Sequence, residues 1–285
     1  MTIIADAGST KIEWSVLDRD SKTERIRIST SGFNAAISAP AKLSAILNRE
    51  APEILSISPK AKEVHYYGAG CIATRAIATA KAIENALGVT ECHIGSDMLG
   101  AARALCGHNP GIACILGTGS NSCLFDGENI IANTPPMGYI LGDEGSGAVL
   151  GKLFLSRLFK GGFDEEVRKR FNERYPDIDS ATVIERVYRS ERANSFLASF
   201  APFLAANIEI EEINRLVTEE FIHFFKSNVL RYDGATHLPV NFIGSIAHYF
   251  TPQLRTAAEE AGINLGRIMK SPMDSLIEYH RENLV

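Results

Sequence analysis

The chain has 285 residues, of which 45% are hydrophobic and 22% charged, and it carries a net charge of −5. That length suits two ordinary domains, the composition is that of a globular protein, and the negative balance excludes a phosphodiester-binding surface, so no nucleic-acid partner is expected. No apolar run reaches the ~18 residues of a transmembrane helix, so no membrane partner is expected either. Asp6 interrupts the first apolar stretch with no basic residue ahead of it, which argues against a secretory leader. The five cysteines (71, 92, 106, 114, 123) form no C-x-x-C pair and no metal-ligand spacing, which suits buried, reduced thiols in a cytoplasmic protein.

In chain order, residues 2–5 and 12–17 read as strands around the turn Asp6-Ala7-Gly8-Ser9-Thr10, and residues 24–29 as a third. Residues 35–48 read as a helix and 64–67 as a strand running into Gly68-Ala69-Gly70. An Ala-rich helix follows over 73–87, then a short strand over 90–94 and a helix over 97–105 that stops at Gly107. A second apolar run, 111–116, reaches Gly117-Thr118-Gly119-Ser120-Asn121 and resumes at 122–125. Asp126-Gly127 signals a hairpin returning over 129–132. Residues 145–228 are largely helical. A strand over 239–243, a helix over 246–261, a strand over 265–269 and a closing helix over 272–283 complete the chain.

The first hairpin recurs. A shift of 111 residues lays Gly8 on Gly119, Ser9 on Ser120, Thr10 on Asn121 and Trp14 on Phe125. The expectation is an α/β chain of two similar domains with an interdomain cleft, 1–109 and 110–271, divided at Asn109-Pro110.

Both hairpin turns suit phosphate. Glycine lets backbone approach a ligand closely, and successive N–H groups form an anion-binding concavity. Ser9, Thr10, Thr118 and Ser120 add hydroxyls and Lys11 a charge, although each turn alone also reads as an ordinary hairpin. The segment 68–73 fits G-x-G-x-x-A with Asp97 further on, so a dinucleotide-dependent oxidoreductase is an alternative. The G-x-x-x-x-G-K-[ST] phosphate loop is absent. Asp97, between a strand and a helix, reads either as the base of a phosphoryl transfer or as a helix N-cap. Four glycines between 138 and 147 surround Asp143 and Glu144, acids suited to sugar hydroxyls or simply to solvent. Gly244-Ser245 reads as a tight strand-to-helix turn that could lie flat on an adenine. The aromatics at 221, 224, 225, 249 and 250 read as core, and the seven histidines form no ligand pair, so no metal held by protein alone is expected.

Together these pieces resemble the N-acetylglucosamine kinase and BadF/BadG/BcrA/BcrD ATPase group of the acetate-kinase/hexokinase/actin superfamily. Residues 6–11 are similar to its D-G-G-x-T-K loop, with Ala7 in place of a glycine. Gly117-Thr118-Gly119-Ser120-Asn121 matches G-T-G-S-N, Gly142-Asp143-Glu144-Gly145-Ser146 matches G-D-E-G-S, and Phe242-Ile243-Gly244-Ser245-Ile246 is similar to the adenosine motif. The resemblance implies two actin-like (ribonuclease H-like) domains and ATP with Mg²⁺ as cofactors. It implies Asp97 as base, with Asp6, Gly8, Ser9, Thr10, Lys11, Gly117, Thr118, Gly119, Gly244 and Ser245 on the nucleotide and magnesium near Asp6. Asn34, Thr118, Asn121, Gly138, Asp143 and Gly147 would meet an amino sugar: N-acetylglucosamine, glucosamine or N-acetylmuramic acid. Met137 stands where the amino-sugar kinases carry a tryptophan. A homodimer is a family expectation, as is the packing of the closing helix on the first domain. An ATPase that activates or binds a partner without a sugar acceptor is the family's other branch; its cluster-ligating cysteines have no counterpart here.

Overall fold

The computed structural model describes residues 1–190 and 192–283, and the chain divides into two compact units. The first comprises Met1–Asn109, Phe125–Ile130 and Ser271–Val285, the second Pro110–Leu124 and Ile131–Lys270.

The first unit is built on strands β1 (Thr2–Ala7), β2 (Lys11–Leu17), β3 (Glu24–Ser31), β4 (Glu63–Gly68) and β5 (Cys92–Ser96), in the order β3-β2-β1-β4-β5. The hairpin β1–β2–β3 is antiparallel, while β4 lies parallel to β1 and β5 parallel to β4. Helices α1 (Pro40–Glu50), α2 (Pro52–Ile57), α3 (Ala73–Leu87) and α4 (Asp97–Cys106) fill the connections. The near-continuous apolar run of β1 reflects burial on both faces. Ile3, Ala5 and Ala7 join the core that includes Leu43, Leu47, Ile54 and Ile83 of α1–α3, whereas Ile4 joins Tyr67, Ala104, Leu276 and Ile277.

The second unit repeats that plan with β6 (Gly111–Leu116), β7 (Ser120–Phe125), β8 (Ile130–Ala132), β9 (Val240–Ile243) and β10 (Leu265–Met269), ordered β10-β9-β6-β7-β8. Reversed, this order is the same as that of the first sheet. Its helices are α5 (Gly138–Leu141), α6 (Gly147–Phe159), α7 (Glu165–Arg174), α8 (Ser180–Tyr188), α9 (Ala193–Ala198), α10 (Ala201–Ala206), α11 (Glu211–Ser227), α12 (Ser245–Tyr249) and α13 (Thr251–Ala261). A phenylalanine-rich core holds them, with Phe154, Phe171, Phe221, Phe224, Phe225 and Phe242 fully buried. The closing helix α14 (Met273–Glu282) packs against α4, β1 and β2 in the first unit.

Several boundaries differ from the sequence reading. The helix expected from 35 starts at Pro40 because the Asn34 carboxamide accepts the Ala36 N–H at 2.9 Å and holds a turn there. The helix expected over 246–261 breaks at Phe250, since Thr251-Pro252 opens a new one. The repeat also has a different offset. Strand ends correspond from Ala7 to Leu116 and from Lys11 to Ser120, 109 residues apart in each case, so Gly8 answers to Gly117 rather than Gly119. No described helix is long and apolar enough to cross a membrane.

Candidate active site

In the first unit the β1–β2 turn is clamped by the chain that follows β3. Gly8 N–H donates to the Lys11 carbonyl at 2.9 Å, Gly32 N–H to the Thr10 carbonyl at 3.0 Å and Phe33 N–H to the Gly8 carbonyl at 3.1 Å. Asn34 then turns back and donates from Nδ2 to Ser9 Oγ at 3.0 Å. A side chain at Gly70 would stand 2.6 Å from Asn34 Oδ1, so Gly70 makes room for Asn34. At Gly68 a side chain would meet Tyr66 and Cys71. The segment joins β4 to α3 inside the parallel β4–α3–β5 unit, but packing explains both glycines of the G-x-G-x-x-A match without a dinucleotide. Ala7 is a buried strand residue paired with Ile12, so the turn forms without the family's glycine.

Gly8 itself has no such explanation. Its backbone is not left-handed, and an added Cβ would meet nothing closer than the Lys11 carbonyl at 3.4 Å. Gly117, its counterpart, also lacks a positive φ and would meet only the Gly119 carbonyl, at 4.0 Å. Neither backbone strain nor the protein's own packing demands glycine at either turn. Glycine at both turns leaves backbone open to close approach by a ligand.

Beside the first turn lies a group of acids. Ser96 Oγ accepts the Leu99 N–H at 3.1 Å, so Ser96 caps α4 and Asp97 is released from that duty. The Asp97 carboxylate accepts the Met98 N–H at 2.9 Å, and burial raises its pKa above the ordinary range. Asp6, at the end of β1, is pushed up to about 7, first by burial and then by the charges of Asp97 and Glu13; Lys11 opposes them. Lys11 also pairs with Glu13 at 2.9 Å. This surplus of buried negative charge beside an exposed Ser9-Thr10-Lys11 turn is where a cation would be welcome.

In the second unit the loop after β8 is tied to the Gly117 turn. Gly147 N–H donates to the Gly117 carbonyl at 2.8 Å and Ala148 N–H to the Thr118 carbonyl at 3.1 Å. Asp143 Oδ1 accepts the Ser120 N–H at 3.3 Å, and burial raises the Asp143 pKa. Ser146 caps α6. Glu144 accepts from Asn228 Nδ2 at 3.1 Å, which leaves Asp143 as the acid facing the turn. Gly147 is buried with Ala198 and Ile246 where a Cβ would stand, so it serves packing, whereas Gly138 has open space around it. Asn121 Oδ1 accepts from Asn133 Nδ2 at 2.9 Å, a partner the sequence reading missed.

Gly117 and Thr118 also border a pocket of about 380 Å³ lined by Ala198, Ala201, Pro202, Ala205, Ser245, Ile246, Tyr249 and Phe250. Small and flat side chains leave a mostly apolar slot with room for a heteroaromatic base. Gly244 has a reason of its own to be glycine: its φ is +120°, and a Cβ would lie 2.2 Å from the Leu116 carbonyl. One expectation is corrected here. Tyr249 is not core. It is 57% exposed, lines the pocket, and is held by Lys270, whose Nζ donates to its hydroxyl at 3.0 Å. The α9–α10 wall carries no motif, and only its run of small residues could have signalled it. A second correction concerns the histidines, since His65 and His93 stack at 4.7 Å beside Glu63 in the first unit.

The chain was compared with known proteins. No family model and no curated protein matches it. Among solved structures, a candidate N-acetylglucosamine kinase from Porphyromonas gingivalis superposes with a TM-score of 0.95 at 44% identity, covering 100% of both chains. A second candidate N-acetylglucosamine kinase, from Chromobacterium violaceum, has a TM-score of 0.74 at 17% identity over 98% of each chain. A ROK-family glucokinase from Streptomyces griseus, solved with glucose and AMPPNP, has 0.55 at 13% identity over 98% and 97%. The last two share the fold with this chain. By its full-length identity to the Porphyromonas protein, the chain belongs to the N-acetylglucosamine kinase family, with the two-domain actin-like fold of the sugar kinases.

Proposed function

We propose that this protein transfers the γ-phosphoryl group of ATP to a hydroxyl of an amino sugar, with N-acetylglucosamine as the first acceptor to test. The observation that carries the reading is the matched pair Gly8 and Gly117, glycines required by neither backbone nor packing at equivalent turns of two like sheets. The similarity to the candidate N-acetylglucosamine kinase at 44% identity supports the acceptor class.

The parts divide the reaction. The pocket beside Gly117 and Thr118 takes the base, and the backbone N–H groups of the two glycine turns take phosphate oxygens. The surplus charge at Asp6 fits magnesium carried in with the nucleotide: Asp6 would hold it, and the ion would neutralise charge developing on the phosphates. Asn34, Asn121 and Asp143 offer the donors and acceptors that sugar hydroxyls need. The sugar hydroxyl oxygen attacks the γ-phosphorus, the bond to the β–γ bridging oxygen breaks, and ADP leaves. The hydroxyl proton passes to Asp97. Burial makes the Asp97 carboxylate a stronger base than an exposed one, which suits that role.

The test is ADP release with Mg·ATP over N-acetylglucosamine, glucosamine, N-acetylmuramic acid, glucose and no acceptor. Stimulation by one amino sugar is expected. Equal release without any acceptor would replace the kinase reading with that of an ATPase.

A further inference from the structure

The four side chains Glu63, His65, Glu91 and His93 lie on β4, on the edge strand β5 and just ahead of it, and take no part in the proposed reaction. Glu-x-His occurs at Glu63-Val64-His65 and again at Glu91-Cys92-His93, two of its three occurrences in the sequence. Strands β4 and β5 run parallel in a register that sets Val64 beside Cys92 and His65 beside His93. Because side chains alternate along a strand, each glutamate shares a face with the histidine two residues on, and the register stacks the two pairs side by side. The imidazoles lie 4.7 Å apart at 13°. His65 Nε2 is 3.4 Å from Glu63 Oε2, His93 Nε2 is 3.0 Å from Glu91 Oε1, and His93 Nε2 is 3.9 Å from Glu63 Oε2. One ligand atom from each of Glu63, His65 and His93 falls within 4.8 Å of the others.

We propose that Glu63, His65, His93 and Glu91 form a site for a borderline divalent transition metal, zinc foremost. Zinc bonds imidazole nitrogen and carboxylate oxygen at about 2.0–2.2 Å, which puts tetrahedral ligand atoms roughly 3.3–3.6 Å apart; the separations of 3.4 and 3.9 Å among Glu63, His65 and His93 lie near that span, and the exposed Glu91, 3.0 Å from His93, would swing in as the fourth ligand. Two nitrogens and two oxygens suit zinc better than magnesium or calcium, which prefer oxygen alone. The outer contacts fit as well. Glu63 Oε1 accepts from Thr2 Oγ1 at 2.9 Å and from Arg19, which leaves Oε2 toward the imidazoles. His65 also rests on the His280 ring of α14 at 4.1 Å. His93 and Glu91 are half or more exposed, so an ion reaches the site from solvent and two ligands can adjust around it. A bound ion would fasten the edge strand β5 to β4 and fix the ring against which α14 packs.

The test uses the full chain, stripped with EDTA and dialysed against zinc chloride buffered at micromolar free metal, with bound metal counted by mass spectrometry. Wild type should hold about one equivalent, melt at a higher temperature with zinc than without, and give visible absorption bands with cobalt(II). His93→Gln, at a half-exposed position that the fold tolerates, should bind at least roughly tenfold more weakly, while His248→Gln in the second unit should change nothing. Wild type without zinc after dialysis, or His93→Gln holding as much as wild type, would overturn the site. Neither result bears on sugar-stimulated ADP release.

Discussion

Replacing Asp6 by asparagine should make the protein more stable at neutral pH while abolishing its proposed activity. In the unfolded chain Asp6 loses its proton near 3.8, and in the folded chain near 7. Between those values the folded state holds a proton that the unfolded state has released. Stability therefore falls as pH rises from about 4 to about 7 and levels off above. The full displacement corresponds to about 4 kcal/mol at 1.36 kcal/mol per pH unit. Asp6 keeps an edge to solvent, so about 2 kcal/mol is the working figure. In Asp6→Asn that cost of charge is gone, and the melting temperature at pH 8 should rise by roughly 4–8 °C. At pH 4, where the carboxyl is protonated in the folded chain and only about half ionised in the unfolded one, most of the difference should have vanished and the variant should nearly match wild type. The assay is thermal unfolding of both proteins across pH 4–8. Parallel curves would refute the reasoning, because the proton would then sit on some other group. The same carboxyl makes a binding prediction. Magnesium favours ionised Asp6, so Mg·ATP affinity should weaken as pH drops below about 7, and calorimetric titration at pH 6 and 8 reads this directly.

Asp97→Asn should leave ATP and sugar affinity intact while kcat falls by roughly 10²- to 10⁴-fold, the usual contribution of a general base; turnover near wild type would remove Asp97 from the chemistry. Gly117→Ala should fold and melt like wild type, since its Cβ meets only one carbonyl at 4.0 Å, yet raise the KM for ATP at least roughly tenfold. Gly244→Ala should do the reverse and destabilise by about 2–4 kcal/mol in chemical denaturation, because its φ is +120° and Leu116 O lies 2.2 Å from the new methyl. Ala201→Leu should fill the pocket beside Thr118 and raise the KM for ATP but not for sugar, as measured by initial rates with each substrate varied in turn.

The two halves of the fold were legible because their signals are local. An apolar strand, a small polar turn and a second apolar strand occur within 16 residues of each other, and both sheets begin that way. The offset between them was misread because Gly-Ser occurs in both turns and draws the eye to Gly119, while hydrogen bonding follows strand ends. What failed to show in the sequence has a common physical character. The wall at Ala198, Ala201 and Ala205 matters for the volume its side chains lack, and small residues look alike whether they border a pocket or fill a helix. Tyr249 looks like its neighbour Phe250, which is 1% exposed, and only the break before α13 turns one outward and the other in. His65 and His93 meet through strand register, a property of pairing between β4 and β5 that neither strand contains alone.

The glycines carry this distinction furthest. Motif matching treats Gly8, Gly117, Gly147 and Gly244 as equal members of ligand-binding signatures. The structure separates them by asking what a methyl group would strike. At Gly147 it meets Ala198, Ile246 and the Gly117 carbonyl, and at Gly244 it meets backbone on a left-handed residue. Those two glycines hold the architecture around the site. At Gly8 and Gly117 a methyl meets almost nothing. A glycine standing where the protein leaves room for more points to something outside the protein that fills it. The contrast between Gly117→Ala and Gly244→Ala is therefore a test of that inference as a whole. If both variants lose stability alike, or if neither affects ATP use, the open glycines are ordinary turn residues and the phosphate assignment loses its support.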